Sequence, residues 1–200
     1  PNTEIQPELP ESVGSRWGQE MSGVPQLLVL QTGGTIDKDY PQKVGGWAFE
    51  IGNAATGSNR RCSLKHASES VLQQAFALWT PSFITVCRKD STQLTQDDRE
   101  TLGRLCNESK ISKILVTHGT DTLIETALFL RLSKSKTVVL TGSLLPEKFK
   151  NSDAHFNIGC AVGALSILES GVYVAMNGRV YRADRVARDY NSGQFVPAKL

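Results

Sequence analysis

The stretch Ile114-Leu115-Val116-Thr117-His118-Gly119-Thr120-Asp121-Thr122-Leu123-Ile124-Glu125-Thr126 changes character in its middle. Its first three residues form an apolar run of buried-strand type. From Leu123 onward the apolar positions Leu123, Ala127, Leu128 and Leu130 recur at helical spacing. The six residues between them therefore sit where a buried strand turns into a helix. Asp121 or Thr120 is the expected N-cap, accepting first-turn N–H groups. The turn then carries several hydroxyls, one carboxylate and a set of N–H donors, and such a turn can hold an anion or a developing oxyanion.

The same grammar recurs along the chain. Gln26–Gln31 is a short apolar run ending in Thr32-Gly33-Gly34-Thr35-Ile36-Asp37, where two glycines allow a sharp turn and close approach to a ligand. The loop continues to Tyr40, and Trp47–Ile51 reads as a short strand. Gly52–Ser70 is rich in Gly, Asn, Ser and Thr and reads as an exposed loop. Val71–Trp79 is expected to be a short helix. Ser82–Arg88 is a third strand leading into Asp90-Ser91-Thr92-Gln93-Leu94. Thr95 caps a helix running to about Asn107, with Asp97 and Asp98 suited to its positive first turn. Thr137–Thr141 is the next strand, followed by Gly142 and Ser143. Asp153 caps a long apolar helix through Ala161, Ala164 and Leu168. Gly171–Met176 is a further strand, and Arg179–Leu200 is basic and polar, with weak strand signals at Arg179–Tyr181.

Near-continuously apolar strands alternating with helices predict an α/β fold: a mostly parallel sheet with helices on both faces. Residues 1–25, without periodicity, read as a flexible N-terminal tail, and residues 26–200 as one domain. In such sheets ligands sit beyond the carboxyl ends of the strands, near a switch point. The hydroxyl-rich turns Thr32–Thr35, Asp90–Thr92, Thr117–Thr122 and Thr141–Ser143 all fall at those ends, which predicts one shared pocket.

Composition narrows the function classes. Twenty-two basic and 20 acidic residues leave a net charge of +2, and 40% of residues are apolar. That balance argues against nucleic acid or a membrane surface as the partner. No apolar run approaches a membrane span, and no secretory signal with a cleavage site opens the sequence. The 4 cysteines, Cys62, Cys87, Cys106 and Cys160, have no metal-knuckle spacing, and 3 scattered histidines make no zinc site. A reducing, cytoplasmic setting follows as the expectation, with no metal and no cofactor.

The turns contain no Cys–His pairing and no G-x-S-x-G. The candidate nucleophiles are threonine hydroxyls, which need a base or local positive charge. Thr35, on the glycine turn near Tyr40, is one; Thr120, beside Asp121, is the other. Thr122 and Thr126 read as turn-closing residues. His118 reads as a neutral ring bonded to neighbouring backbone, with a role as base the alternative. Asp90 either binds a ligand amine or caps a turn.

Taken together, Thr32-Gly33-Gly34-Thr35-Ile36 and His118-Gly119-Thr120-Asp121-Thr122, about 85 residues apart at strand ends, resemble the two signatures of the bacterial-type L-asparaginase/glutaminase family. Thr141-Gly142-Ser143 and Asp153–Asn157 resemble its next stretch. The resemblance runs from about Gln26 to Arg188 and implies a single asparaginase N-terminal-type domain, in a short single-domain form or as a fragment. It implies an amidohydrolase converting L-asparagine to L-aspartate and ammonia, with glutamine a possible second substrate, and a homodimer or other even oligomer. By motif, Thr35 resembles the nucleophile and Tyr40 the loop tyrosine. Thr120 and Asp121 resemble the second catalytic threonine and its acidic partner, Asp121 also meeting the substrate's α-amino group. Ser91 resembles the α-carboxylate-binding residue, Thr92 stands where the family often has Gln, and Ser143 stands at the leaving-amide side. Gly34, Asp90 and Gly119 complete the expected substrate contacts.

The sequence departs from the family pattern where the catalytic lysine is expected. Counting from Met176-Asn177, that position is Arg188, and an arginine cannot act as a general base. Lys148, Lys150 and Lys199 are the alternative lysines. The family's C-terminal domain has no counterpart within these 200 residues. Two other functions compete: a binding module that holds an amino acid without chemistry, motivated by Arg188, and a phosphate or nucleotide site at the glycine turn. The second lacks a Walker lysine.

Overall fold

A computed structural model of the chain describes residues 23–39, 50–51, 66–75, 77–133 and 135–199. Tyr40, nearly all of the expected tail, and residues 52–65 of the expected loop lie outside the described residues, as do residues 47–49 of the expected strand. Strand β1 is Gln26–Gly33. A 3-10 turn at Thr35–Asp37 leads to β2, Lys38–Asp39, which pairs antiparallel with β3, Glu50–Ile51. Helix α1 is Ala67–Gln74 and β4 is Thr80–Lys89. A second 3-10 turn, Ser91–Gln93, precedes α2, Gln96–Glu108. Then follow β5, Lys113–Thr117, α3, Leu123–Phe129, β6, Thr137–Thr141, α4, Ala154–Ile167, and β7, Gly171–Met176. The chain closes with β8, Arg179–Arg182, β9, Val186–Arg188, and β10, Phe195–Pro197.

The main sheet runs β4-β1-β5-β6-β7-β8. Its first five strands are parallel, and β8 returns antiparallel on β7. The return is made by Asn177 and Gly178, both at positive φ (54° and 75°), the hand a two-residue hairpin turn requires. Successive residues of each strand point to opposite faces. Leu28 and Leu30 pack with Leu102, Leu123 and Ala127 of α2 and α3, whereas Leu27 and Val29 pack with Val71, Ile158 and Leu165 of α1 and α4. Both faces are therefore covered by helices, and each fully buried leucine stabilises the fold by about 1.5–3 kcal/mol.

Counted in chain order, the five parallel strands read 2-1-3-4-5. The chain leaves β1 to one side for β4 and then crosses to its other side for β5. The crevice outside the carboxyl ends of β1 and β5 is thus the topological switch point, where open α/β sheets bind ligands.

The structure moves several expected boundaries. The helix expected at Val71–Trp79 starts earlier and ends earlier, at Ala67–Gln74. Its start is fixed from a distance: the Ala67 N–H donates to the Asp37 carboxylate at 2.9 Å. Its end precedes Pro81, which biases Thr80 to extended backbone. Helix α2 keeps its expected cap, with the Thr95 hydroxyl accepting from the Asp98 N–H and the Asp98 carboxylate accepting from the Thr95 N–H. Helix α3 is capped by neither Asp121 nor Thr120; Thr122 occupies the N-cap position. Asp153 stands at the N-cap of α4, but its carboxylate accepts from the Leu144 and Leu145 N–H groups instead. The basic C-terminal stretch forms three strands, not one weak one.

Candidate active site

Four strand-end turns meet at the switch point, and they meet through glycine. A Cβ built on Gly34 would lie 2.4 Å from the Gly119 backbone, and one on Gly119 would lie 2.8 Å from the Ser91 side chain. A Cβ on Gly142 would lie 2.3 Å from the His118 carbonyl. Any side chain at these positions would force the turns apart. Gly34 also has φ 87° and ψ −176°, a conformation reserved for glycine. Hydroxyls tie these turns to one another and to β7. Thr32 donates to the Thr117 carbonyl at 3.0 Å, Thr122 to the Ser91 carbonyl at 2.8 Å, and Thr141 to the Ala175 carbonyl at 2.8 Å.

This arrangement brings Thr35, half-buried at the start of its 3-10 turn, beside the turn that carries Thr120. Thr120 is 8% exposed, and Ser91 is buried with its Oγ toward the Thr122 N–H at 3.4 Å. Thr92 is exposed and turned outward. Ser143 is fully buried and donates its hydroxyl to the Leu145 carbonyl, so its proton serves its own loop. The Glu147 N–H of that loop donates to the Ile36 carbonyl at 3.1 Å, bracing the turn that holds Thr35.

His118 is the neutral ring that the sequence suggested. It is 0% exposed, and its Nδ1 donates to the Gly119 carbonyl at 2.7 Å. Burial, with Arg99 nearby, pushes its pKa down to about 4. Its Nε2 and the Thr117 hydroxyl are buried without a hydrogen-bond partner among the described residues.

The carboxylates at the turns are paired within the chain. Asp121 accepts from Arg188 Nη1 at 2.9 Å, and Asp90 pairs with Lys38 at 2.8 Å. The sequence reading left Asp90 to bind a ligand amine or cap a turn; it stands at the N-cap of the Ser91–Gln93 turn, and its carboxylate also meets the amine of Lys38. Lys148 pairs with Asp39. Arg188 lies on β9, with its guanidinium 5.7 Å above the Phe195 ring.

An amide relay, buried at its Asn157 end, positions that hairpin. Asn157 donates to the Gly142 carbonyl at 3.0 Å and accepts from the Asn177 N–H at 3.2 Å. Asn177 accepts in turn from the Phe195 N–H at 2.9 Å. The strand end that carries Gly142 is thereby connected to the strand pair that aims Arg188 at Asp121.

Sequence reasoning missed Lys38, Asp37 and His66. Asp37 anchors the turn of Thr35 to α1 through Ala67 and faces His66 Nδ1 at 3.4 Å. Lys38 carried one signal, its place three residues after Thr35; His66 carried none. Among the described residues no group of His, Cys, Asp and Glu is placed to hold a metal, and no helix is long and apolar enough to cross a membrane.

Comparison with known proteins accounts for this convergence of turns. Residues 26–194 match the family model described as Asparaginase, N-terminal. The chain is 29% identical over 174 residues to a glutaminase-asparaginase of Acinetobacter glutaminasificans, covering 82% of this chain and 50% of that protein. It is 32% identical over 176 residues to an L-asparaginase of Thermococcus kodakarensis, covering 84% and 49%. The solved structure of the thermostable L-asparaginase from Thermococcus kodakarensis superposes with a TM-score of 0.64 at 28% identity, over 86% of this chain and 51% of that one. A probable cytoplasmic L-asparaginase from Campylobacter jejuni gives 0.65 at 25% identity, over 86% and 53%. The chain spans about half the length of the relatives it matches. With one family model covering the sheet and all four turns, the chain belongs to the asparaginase family, in its N-terminal domain.

Proposed function

We propose that this chain is an amidohydrolase that releases ammonia from the side-chain amide of L-asparagine, with L-glutamine a secondary substrate, through an acyl-enzyme on Thr35. The observation that carries the reading is the contact of Gly34 with Gly119, which sets the two hydroxyl-bearing turns against each other. In the first step the Thr35 Oγ attacks the amide carbon. The C–O bond forms, the C–N bond breaks, and the hydroxyl proton leaves with ammonia. Backbone N–H groups around Gly119 and Thr120 face the developing oxyanion, each such donor being worth about 3 kcal/mol in related acyl transfers. Water then cleaves the ester and restores the hydroxyl. Thr120 and Asp121 serve the proton transfer, and Ser91 and Gly119 the α-carboxylate.

An arginine cannot act as a general base, so the role of Arg188 is to orient Asp121. The same pair favours a second reading, a non-catalytic member that binds an amino acid. Ammonia release from asparagine decides between them. We expect turnover, with at least a thousandfold loss of kcat in Thr35→Ala and unchanged folding by circular dichroism. Full activity in that variant would remove Thr35 from the mechanism, and wild-type protein that binds aspartate without turnover would favour the second reading. A homodimer and a cytoplasmic setting belong to the same proposal. The unpaired thiols Cys87, Cys106 and Cys160 agree with a reducing compartment, although the relatives' names include both cytoplasmic and periplasmic asparaginases.

A further inference from the structure

Arg188 stands on a ribbon that is not part of the main sheet: β9 and β10 form a two-stranded sheet of their own. Such a ribbon is marginally stable alone. Its buried anchors, Val186 and Phe195, sit in the core on the α2–α3 side of the main sheet. Apolar burial is non-directional, so it holds the ribbon down without fixing how it is turned. The direction comes from the β7–β8 hairpin. The Phe195 N–H donates to Asn177 Oδ1 at 2.9 Å, and the Tyr181 hydroxyl donates to the Phe195 carbonyl at 3.2 Å. Phe195 pairs with Arg188 across the ribbon, and the centre of its ring lies 5.7 Å from the guanidinium. A residue held by both of its main-chain groups thus seats the cation that meets Asp121.

Asn177 does two separable things. Its left-handed φ of 54° serves the turn with Gly178, and a glycine would adopt that conformation equally well. Its side-chain oxygen reaches Phe195, 18 residues further along the chain, and a glycine would lose that contact. Asn177 is exposed, so water would satisfy its amide oxygen without this partner. Resting on the amidohydrolase reading above and on the role it gives Arg188, we infer that Asn177 and Tyr181 are positioning residues of the reaction: acting through Phe195, they turn the ribbon so that Arg188 orients Asp121. Neither touches the substrate. Among the described residues, β9 and the turn that carries Asp121 share no strand pairing. The 2.9 Å contact between them therefore survives only while the ribbon keeps its angle. A misplacement of about 1 Å can cost about a hundredfold in rate.

A double-mutant cycle tests this. Asn177→Gly, Arg188→Gln and the double variant are compared with wild type in kcat/KM for ammonia release from L-asparagine and in the calorimetric Kd of L-aspartate. Tyr181→Phe, which removes a single hydroxyl, is taken through the same cycle. Each single variant is expected to lose at least about fivefold in kcat/KM. Once Arg188 is replaced the seat has nothing to aim, so each double variant should lie within about twofold of Arg188→Gln. A part that merely stabilised the fold would lower Tm, and its loss would multiply with that of Arg188. Multiplying losses overturn the proposal while leaving the amidohydrolase reading intact, and wild-type kcat/KM in Asn177→Gly or Tyr181→Phe removes that residue from the seat. Full activity in Arg188→Gln overturns the proposal as well, because the seat would then serve no reacting group. Absence of ammonia from wild type overturns the amidohydrolase reading itself, and the same cycle on the aspartate Kd then decides whether the seat governs Asp121.

Discussion

His118 is a fully buried imidazole whose Nδ1–H is committed to the Gly119 carbonyl. Burial holds its pKa near 4, below the ordinary value of 6.5. In the unfolded chain the ring takes up a proton as the pH falls through 6.5, whereas in the folded chain it waits until about pH 4. The unfolded state therefore binds more protons between those limits, and stability falls as the medium is acidified across that window. The contribution is fully present above pH 6.5 and amounts to about 2 kcal/mol lost by pH 5. His118→Gln should lower stability at neutral pH yet flatten this dependence, so urea unfolding at pH 7.5 and pH 5 should differ by about 2 kcal/mol less in the variant than in wild type. Equal differences in the two proteins would mean that the ring does not govern acid lability. The neutral ring was legible in the sequence because His118 directly follows a buried strand. The pairing of Asp90 with Lys38 was not, since a lysine stem reaches across a turn whose geometry only the fold supplies.

At the scale of elements, the glycines separate two kinds of position. Gly34 combines a left-handed φ with backbone contact on Gly119, so Gly34→Ala should cost more than about 3 kcal/mol and abolish activity together with the turn. Gly163 lies mid-helix in α4 with nothing within 4 Å of its Cβ position, so Gly163→Ala should stabilise by about 0.5–1 kcal/mol in urea titration, with activity retained. Similar effects at the two sites would refute the contact argument. The parallel strands were legible because their apolar runs are buried on both faces. Helix α1 was misplaced because its first residues, Ala67–Ser70, are small and polar, and the carboxylate that starts the helix lies 30 residues away in Asp37. The β9–β10 pair was missed for a related reason. Its strands are 3 residues each, with one buried anchor apiece in Val186 and Phe195, which is too little pattern to read.

For the whole molecule, strand order decides where a ligand can bind. The hydrophobic pattern predicts a parallel sheet but not that β1 lies between β4 and β5, and that order creates the crevice. The apolar groove between α1 and α4, lined by Val71, Leu72, Ile158 and Val162, offers another concave space. It has few polar groups to orient an amino acid, whereas the switch point presents four polar turns. Hydrogen exchange with saturating L-aspartate, the product of the proposed reaction, tests the assignment. Slowed exchange is expected at Gly33–Asp37, Ser91–Leu94, Gly119–Thr122 and Gly142–Leu144, with α1 and α4 unchanged. At a hundred times its dissociation constant the ligand should stabilise the fold by about 2.7 kcal/mol, raising Tm by roughly 5–10 °C for a domain of this size. Protection centred on Val71 and Ile158 would move the binding site to the helical face. The strand-end turns would then be a structural junction, because the glycine contacts that close them hold the sheet's carboxyl edge together whether or not a substrate is present.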